Sequence, residues 1–237
     1  MPQAMTTLVE HAGSPGLLLA ELPLPFPVGP VNCWILVDKP VTVIDPGMLF
    51  DDSSDRIEAA LAEAGLTVSA VEQIVVTHAH PDHFGAAAWL SDVADAPIVC
   101  GTPDVVRLEQ FHPDQEQARA AHYVSLLRSV GVPVELENTF SHMREMVKDW
   151  IRPVAPSMLA PLDDGQVLAA GGCRFTAHVT PGHSPGHLSL HHAETLISGD
   201  HLLASITPNP FIEAAETELG RRRSLVEYLA SLGRFEF

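Results

Sequence analysis

Apolar positions along this chain follow two rhythms. Short, nearly continuous runs read as strands: Leu17–Leu22, Cys33–Val37, Val41–Ile44, Val71–Thr77 and Ile98–Cys100. The stretch Val71–Thr77 is what a strand buried on both faces requires. Asp38-Lys39-Pro40 between two runs signals a hairpin, and Asp45-Pro46-Gly47 is a sharp stop. From Ser53 to Ala64 the rhythm changes. Ile57, Ala60, Leu61 and Ala64 recur at i, i+3, i+4 and i+7, one face of a helix that Gly65 ends. An Ala-rich helix is predicted from about Phe84 to Leu90.

Between about Pro103 and Trp150, Gln, Glu, Arg and Ala dominate, which predicts helices over Asp114–Val130 and Asn138–Trp150. Strands resume at Arg174–Val179, His187–His191 and Thr195–Ser198, and a final helix is predicted over Glu213–Leu232. The pattern is that of an α/β chain. We read residues 1–237 as a single domain in which about 103–150 is a helical insertion.

Composition narrows what the chain can do. With 46% apolar and 18% charged residues it can bury a core and resists wholesale disorder. Thirteen Lys+Arg against 30 Asp+Glu give a net charge of −17, which disfavours nucleic acid as a partner. No apolar stretch approaches the ~20 residues needed to cross a bilayer, so no membrane partner is expected. Met1–Met5 lacks the basic segment and apolar core of a signal peptide. Cys33, Cys100 and Cys173 are isolated, with no CxxC pair, and read as small buried apolar residues. Together these features predict a cytoplasmic protein.

The chemistry concentrates at His78-Ala79-His80-Pro81-Asp82-His83, directly after a buried strand. Alternate residues of an extended chain face one side, so His78 and His80 can grip one ion together. Asp82 and His83 follow where the chain turns into a helix, and can reach a second ion nearby. Imidazole and carboxylate suit Zn²⁺ and related divalent metals. Thr180-Pro181-Gly182-His183-Ser184-Pro185-Gly186-His187 and Ser198-Gly199-Asp200-His201 each follow a strand, and present His183 and Asp200. No GxSxG elbow, P-loop or strand-linked GxGxxG offers a rival chemistry.

These motifs, in this order, resemble those of the metallo-β-lactamase superfamily. His78-x-His80-x-Asp82-His83, Pro181-Gly182-His183, Ser198-Gly199-Asp200 and the strand-ending Asp45 carry the likeness from about residue 17 to 232. It implies an αββα sandwich: two mixed β-sheets packed face to face, helices outside, metals at one edge. It also implies that His78, His80 and His183 hold a first metal and that Asp82 and His83 hold a second. Asp200 would bridge both, Asp45 would orient the ligand loop, and Asp82 would position the attacking water. His187 and His201 are candidates to support the ligands or touch substrate. The expected cofactor is Zn²⁺, two per chain if a further ligand is supplied; iron and manganese suit the same donors. Members of the superfamily commonly have a last histidine after the C-terminal helix. No histidine follows His201 here, so a C-terminal strand and the last metal histidine are expected to be missing.

The resemblance implies a hydrolase in which a metal-activated water attacks a small ester-like substrate. Coordination lowers the pKa of water from about 15.7 to about 7. The stretch Thr180–His187 resembles the glyoxalase II branch, which puts a thioester first. A lactonase, a phosphodiesterase or nuclease, a single-iron sulfur dioxygenase and a non-catalytic binding protein stay open. The partner expected is a small-molecule substrate, and homo-oligomerisation stays open. Arg221-Arg222-Arg223 is either a solvated helix start or an anchor for an anionic substrate. The insertion is expected to roof the metal edge, with Phe111, Tyr123, Phe140, Met143 and Met146 setting substrate size.

Overall fold

The computed structural model describes residues 6–9, 16–26, 28–111, 113–133, 147–210 and 222–235. Its first sheet holds seven strands side by side in chain order: β1 (Thr6–Val9), β2 (Leu17–Leu22), β3 (Val31–Leu36), β4 (Thr42–Ile44), β5 (Gln73–Val76), β6 (Ile98–Gly101) and β7 (Leu159–Leu162). The strands run antiparallel as far as β4, and β4 to β7 run parallel. Parallel neighbours need crossovers, and helices supply them. Helix α1 (Ser53–Glu63) links β4 to β5; α2 (Pro81–Phe84) and α3 (Ala87–Ala94) link β5 to β6. Between β6 and β7 lie α4 (Val105–Glu109) and α5 (Pro113–Ser129).

The second sheet has four strands in the order β11-β10-β9-β8: β8 (Val167–Ala170), β9 (Cys173–Val179), β10 (Leu188–His192) and β11 (Thr195–Ile197). It is antiparallel throughout, where a mixed sheet was expected. The reason is local: Gly171-Gly172 and Ala193-Glu194 are tight turns, too short for the crossover that a parallel pair demands.

Side-chain alternation along the first sheet builds two cores. Ile35, Val43, Ile74, Val76, Ile98 and Cys100 face α1 and α3, where Ile57, Ala60, Leu61 and Leu90 cover them. Their neighbours Leu36, Ile44, Val75 and Val99 face the other way, onto Leu168, Phe175, Ala177, Leu188 and Leu190 of the second sheet. Strands β4 to β6 are therefore apolar on both faces, which is why the pattern shows them as unbroken runs. A final helix, α6 (Ser224–Leu232), packs on the loops that follow β9 and β11 of the second sheet. Its Tyr228 hydroxyl donates to the His201 carbonyl (3.0 Å), and Ser231 donates to the Pro181 carbonyl (2.8 Å). The layers run helix, sheet, sheet, helix.

Most predicted elements are present, with shifted ends. The helix expected over Phe84–Leu90 is two pieces, α2 and α3, and reaches Ala94. Strands β1, β7 and β8 escape the pattern. Pro161 breaks the signal of β7, yet β7 is a sheet edge, where proline is tolerated. Burial pushes the Cys33 thiol far above its ordinary value and Cys100 up to about 12, so both behave as inert apolar groups. Most of the helix expected over Asn138–Trp150, and the first half of that over Glu213–Leu232, lie outside the described residues. Among those described, no helix is long and apolar enough to cross a membrane.

Candidate metal centre

Five strand ends converge on one edge of the sandwich. The parallel strands β4, β5 and β6 deliver Asp45, His78–His83 and Asp104 just past their C-terminal ends. In α/β sheets this is the edge where ligands bind. From the other sheet, β9 runs into the loop that carries His183 and His187, and β11 runs into the turn that carries Asp200 and His201. Residues more than a hundred positions apart therefore meet.

Among the described residues, two donor groups form there. Nitrogens of His78, His80 and His183 lie within 4.8 Å of one another, and so do atoms of His78, His83 and Asp200. Asp200 stands between the groups. Its Oδ1 is 3.4 Å from His83 Nε2, and its Oδ2 is 3.4 Å from His183 Nε2. Asp82 stands one step outside, with Oδ2 3.9 Å from His83 Nε2.

Hydrogen bonds fix which nitrogen each ring offers. Asp45 Oδ1 accepts from the Thr77 backbone N–H, and Oδ2 accepts from the Thr77 hydroxyl, both at 2.7 Å. With its proton spent on Asp45, the Thr77 oxygen accepts from His78 Nδ1 (3.0 Å). His78 Nε2 is left with a lone pair; it is buried and makes no hydrogen bond among the described residues. His83 Nδ1 donates to Asp45 Oδ2 (2.8 Å), and His183 Nδ1 donates to the Asn209 carbonyl (2.9 Å), so these rings also turn Nε2 inward. His80 differs, presenting Nδ1 only 2.9 Å from His183 Nε2. Inward-facing imidazole lone pairs beside a carboxylate, one of them buried without a partner among the described residues, are a donor set that fits a divalent metal.

The electrostatics agree. Burial, reinforced by neighbouring rings, lowers the pKa of His78 and His80 well below the ordinary value, so both are neutral and able to ligate. Burial works the same way on His83, but Asp45 and Asp200 outweigh it and raise that ring. For Asp200, burial would raise the carboxyl; the charge and hydrogen bond of His83, with His183, hold it at about 2 instead. Asp45 has a positive φ of 55°, a conformation few side chains adopt, at the point where the carboxylate is delivered.

The remaining candidates separate. His187 packs behind His78, ring centroids 5.1 Å apart, with Nδ1 on the Thr180 hydroxyl (2.8 Å). It supports the ligand from inside the fold. His201, a candidate to support the ligands or touch substrate, does not line the site cavity. The 3₁₀ turn Gly199–His201 swings its ring inward against Tyr228 and Phe235, where it is fully buried. Asp104 belongs to none of the motifs. Its signal is position alone, following β6 as Asp45 follows β4.

Above the donors lies a cavity of about 1070 Å³. His80, Asp82, His83, His183 and Asp200 form its polar floor. Phe26, Trp34, Phe111, Tyr123 and Ile197 are among its apolar walls, and Arg107 and Lys148 also line it. Two of the expected roof residues, Phe111 and Tyr123, are thus in place; Phe140, Met143 and Met146 lie outside the described residues. Of the basic cluster, neither Arg222 nor Arg223 lines this cavity. Arg222 pairs with Glu227 of the helix that follows it (2.8 Å), Arg223 is exposed, and Arg221 lies outside the described residues.

Comparison with known proteins gives a consistent answer. The sequence profile of the metallo-beta-lactamase superfamily matches residues 26–235. The probable metallo-hydrolase YqjP of Bacillus subtilis (strain 168) is 26% identical over 220 residues, covering 92% of this chain and 67% of its own length. A metallo-beta-lactamase family protein from Thermus thermophilus superposes with TM-score 0.75 at 27% identity, over 92% of this chain and 69% of that one. A beta-lactamase domain protein from Burkholderia ambifaria gives TM-score 0.74 at 28% identity, over 99% of this chain and 66% of that one. The chain spans about two thirds of the length of each of these three. The profile match over most of its length, joined to the shared fold, makes the chain an enzyme of the metallo-beta-lactamase superfamily, of the metallo-hydrolase kind.

Proposed function

We propose that this chain is a dinuclear hydrolase, zinc-loaded by first choice, that cleaves an ester-like bond, with a thioester as the first substrate to try. The observation that carries the reading is Asp200, whose two carboxylate oxygens face nitrogens of different donor groups at equal distance. A carboxylate so placed suits two ions rather than one. When bound, such ions supply a water acidified to near neutral pH and Lewis acidity toward a carbonyl oxygen.

The chain's own residues do the rest. His78, His80 and His183 would hold the first ion; His83 and Asp82 the second, with Asp200 shared. Asp82 lines the cavity floor and is 29% exposed, so its carboxylate can accept a proton from an attacking water. Asp45 locks the tautomer of His83 and, through Thr77, that of His78. The apolar walls favour an acyl group, and their water exclusion strengthens every charge interaction on the floor. Arg107 and Lys148 suit a substrate that carries an anionic group. The likeness of Thr180–His187 to the glyoxalase II branch belongs to this proposal, as do the cytoplasmic setting and the single domain with its insertion at about 103–150.

Metal analysis of purified protein, followed by a panel of thioester, lactone, phosphodiester and β-lactam substrates, tests the reading. Zinc near two per chain and chelator-sensitive thioester hydrolysis are expected. Iron near one per chain with persulfide-dependent oxygen uptake would replace it with a sulfur dioxygenase.

A further inference from the structure

Asp104 stands at the N-terminal cap of α4, where an aspartate ordinarily turns its carboxylate onto the helix's own N–H groups. It makes no such bond. Its Oδ2 instead accepts from the backbone N–H of Ala79 (2.8 Å), the residue between His78 and His80. The same oxygen accepts from the Ser184 hydroxyl (3.1 Å), next to His183. Oδ1 accepts from the backbone N–H of Gly186 (2.7 Å). The side chain is buried, with the residue only 1% exposed. One buried carboxylate therefore joins the ligand loop of the first sheet to that of the second.

The backbone is built for this approach. A Cβ on Gly186 would lie 2.5 Å from Asp104 N and 2.7 Å from its Cγ. A Cβ on Gly101, just before the turn, would run into the Gly186 carbonyl oxygen. Glycine at both positions lets the two loops close around the carboxylate.

We infer that Asp104 is a positioning residue that sets the spacing between the His78–His80 pair and His183, and thereby the affinity and coordination geometry of the metal site. It touches neither the donor atoms nor the cavity. Without it, two backbone N–H groups lose their buried acceptor, and the two ligand loops lose the carboxylate that joins them. The inference rests on the metal-binding reading above.

The test uses Asp104→Ala and Asp104→Asn in the full chain, with three readouts: Zn²⁺ affinity by competition with a chromophoric chelator, visible absorption of the Co²⁺-loaded protein, and melting with and without Zn²⁺. Asp104→Ala is expected to weaken Zn²⁺ binding about 10- to 100-fold, to alter the Co²⁺ bands, and to shrink the rise in melting temperature that Zn²⁺ gives. Asp104→Asn keeps one acceptor oxygen and is expected to lose less. Wild-type Zn²⁺ affinity and Co²⁺ bands in Asp104→Ala would overturn the inference. So would equal loss of stability with and without Zn²⁺ at unchanged affinity, the mark of a brace that ignores the metal. If Asp104→Ala does not fold, Asp104→Asn decides by the same readouts. Wild-type protein that binds neither ion overturns the metal reading itself, and this one with it.

Discussion

Asp45 and Asp200 are carboxylates on opposite sides of the same site, held in opposite ways. Asp45 is 4% exposed and accepts hydrogen bonds from a backbone N–H, a hydroxyl and an imidazole. Asp200 is 24% exposed and faces two imidazoles at 3.4 Å. The first side is a finished scaffold whose bonds are made before any ligand arrives. The second keeps its oxygens turned toward the cavity floor. A site that binds and turns over needs both: rigid elements to aim the ligands and a carboxylate left available for chemistry.

Substitutions can break this contrast. The largest effect is expected from His78→Ala and Asp200→Ala, each of which should abolish hydrolysis and lower metal content; retained activity in either would remove the site assignment. The two sides then diverge in the metal-free protein. Asp45→Ala strips three donors of their acceptor and should cost on the order of 3 kcal/mol in chemical denaturation. Asp200→Ala should cost clearly less, and an equal cost would end the distinction between scaffold and chemistry. Gly199→Ala comes next. Its φ is +49°, and a Cβ there would lie 2.7 Å from His187 Nε2 and 2.8 Å from the Thr77 hydroxyl. A loss of about 1–3 kcal/mol is expected in thermal melts. The smallest effect is expected from Tyr123→Ala at the cavity wall. It should leave melting nearly unchanged while shifting kcat/KM between acyl substrates that differ by one methylene, by about 1 kcal/mol.

How much of this was legible in the residues depended on distance along the chain. His78 to His83 could be read because four donors lie within six positions after an obvious strand. Asp45 was legible as the end of a strand, and its bond to His83, 38 positions away, follows only from the pairing of β4 with β5. Asp104 sits in Thr102-Pro103-Asp104, an ordinary helix start, and means something only once two loops from different sheets close on it. The fold shows the same division. Strands β4 to β6 announced themselves by burial on both faces, whereas β8, Val-Leu-Ala-Ala, has too little branching to stand out. His201 shows the limit of reading by adjacency: Asp200 faces the cavity, while the next ring turns inward against Tyr228. In a tight turn, adjacent residues point apart.

The meeting of His80 and His183 has a consequence for how the molecule assembles. These nitrogens come from different sheets and are separated by 103 positions in the chain. An ion gripped between them would act as a clip across a very long loop, and such clips remove much of the unfolded chain's freedom. Its grip also cannot form until both sheets are docked. Metal capture would then be a final, locking event in folding, and raising the free ion concentration would slow the sheets' parting as well as raise the melting point.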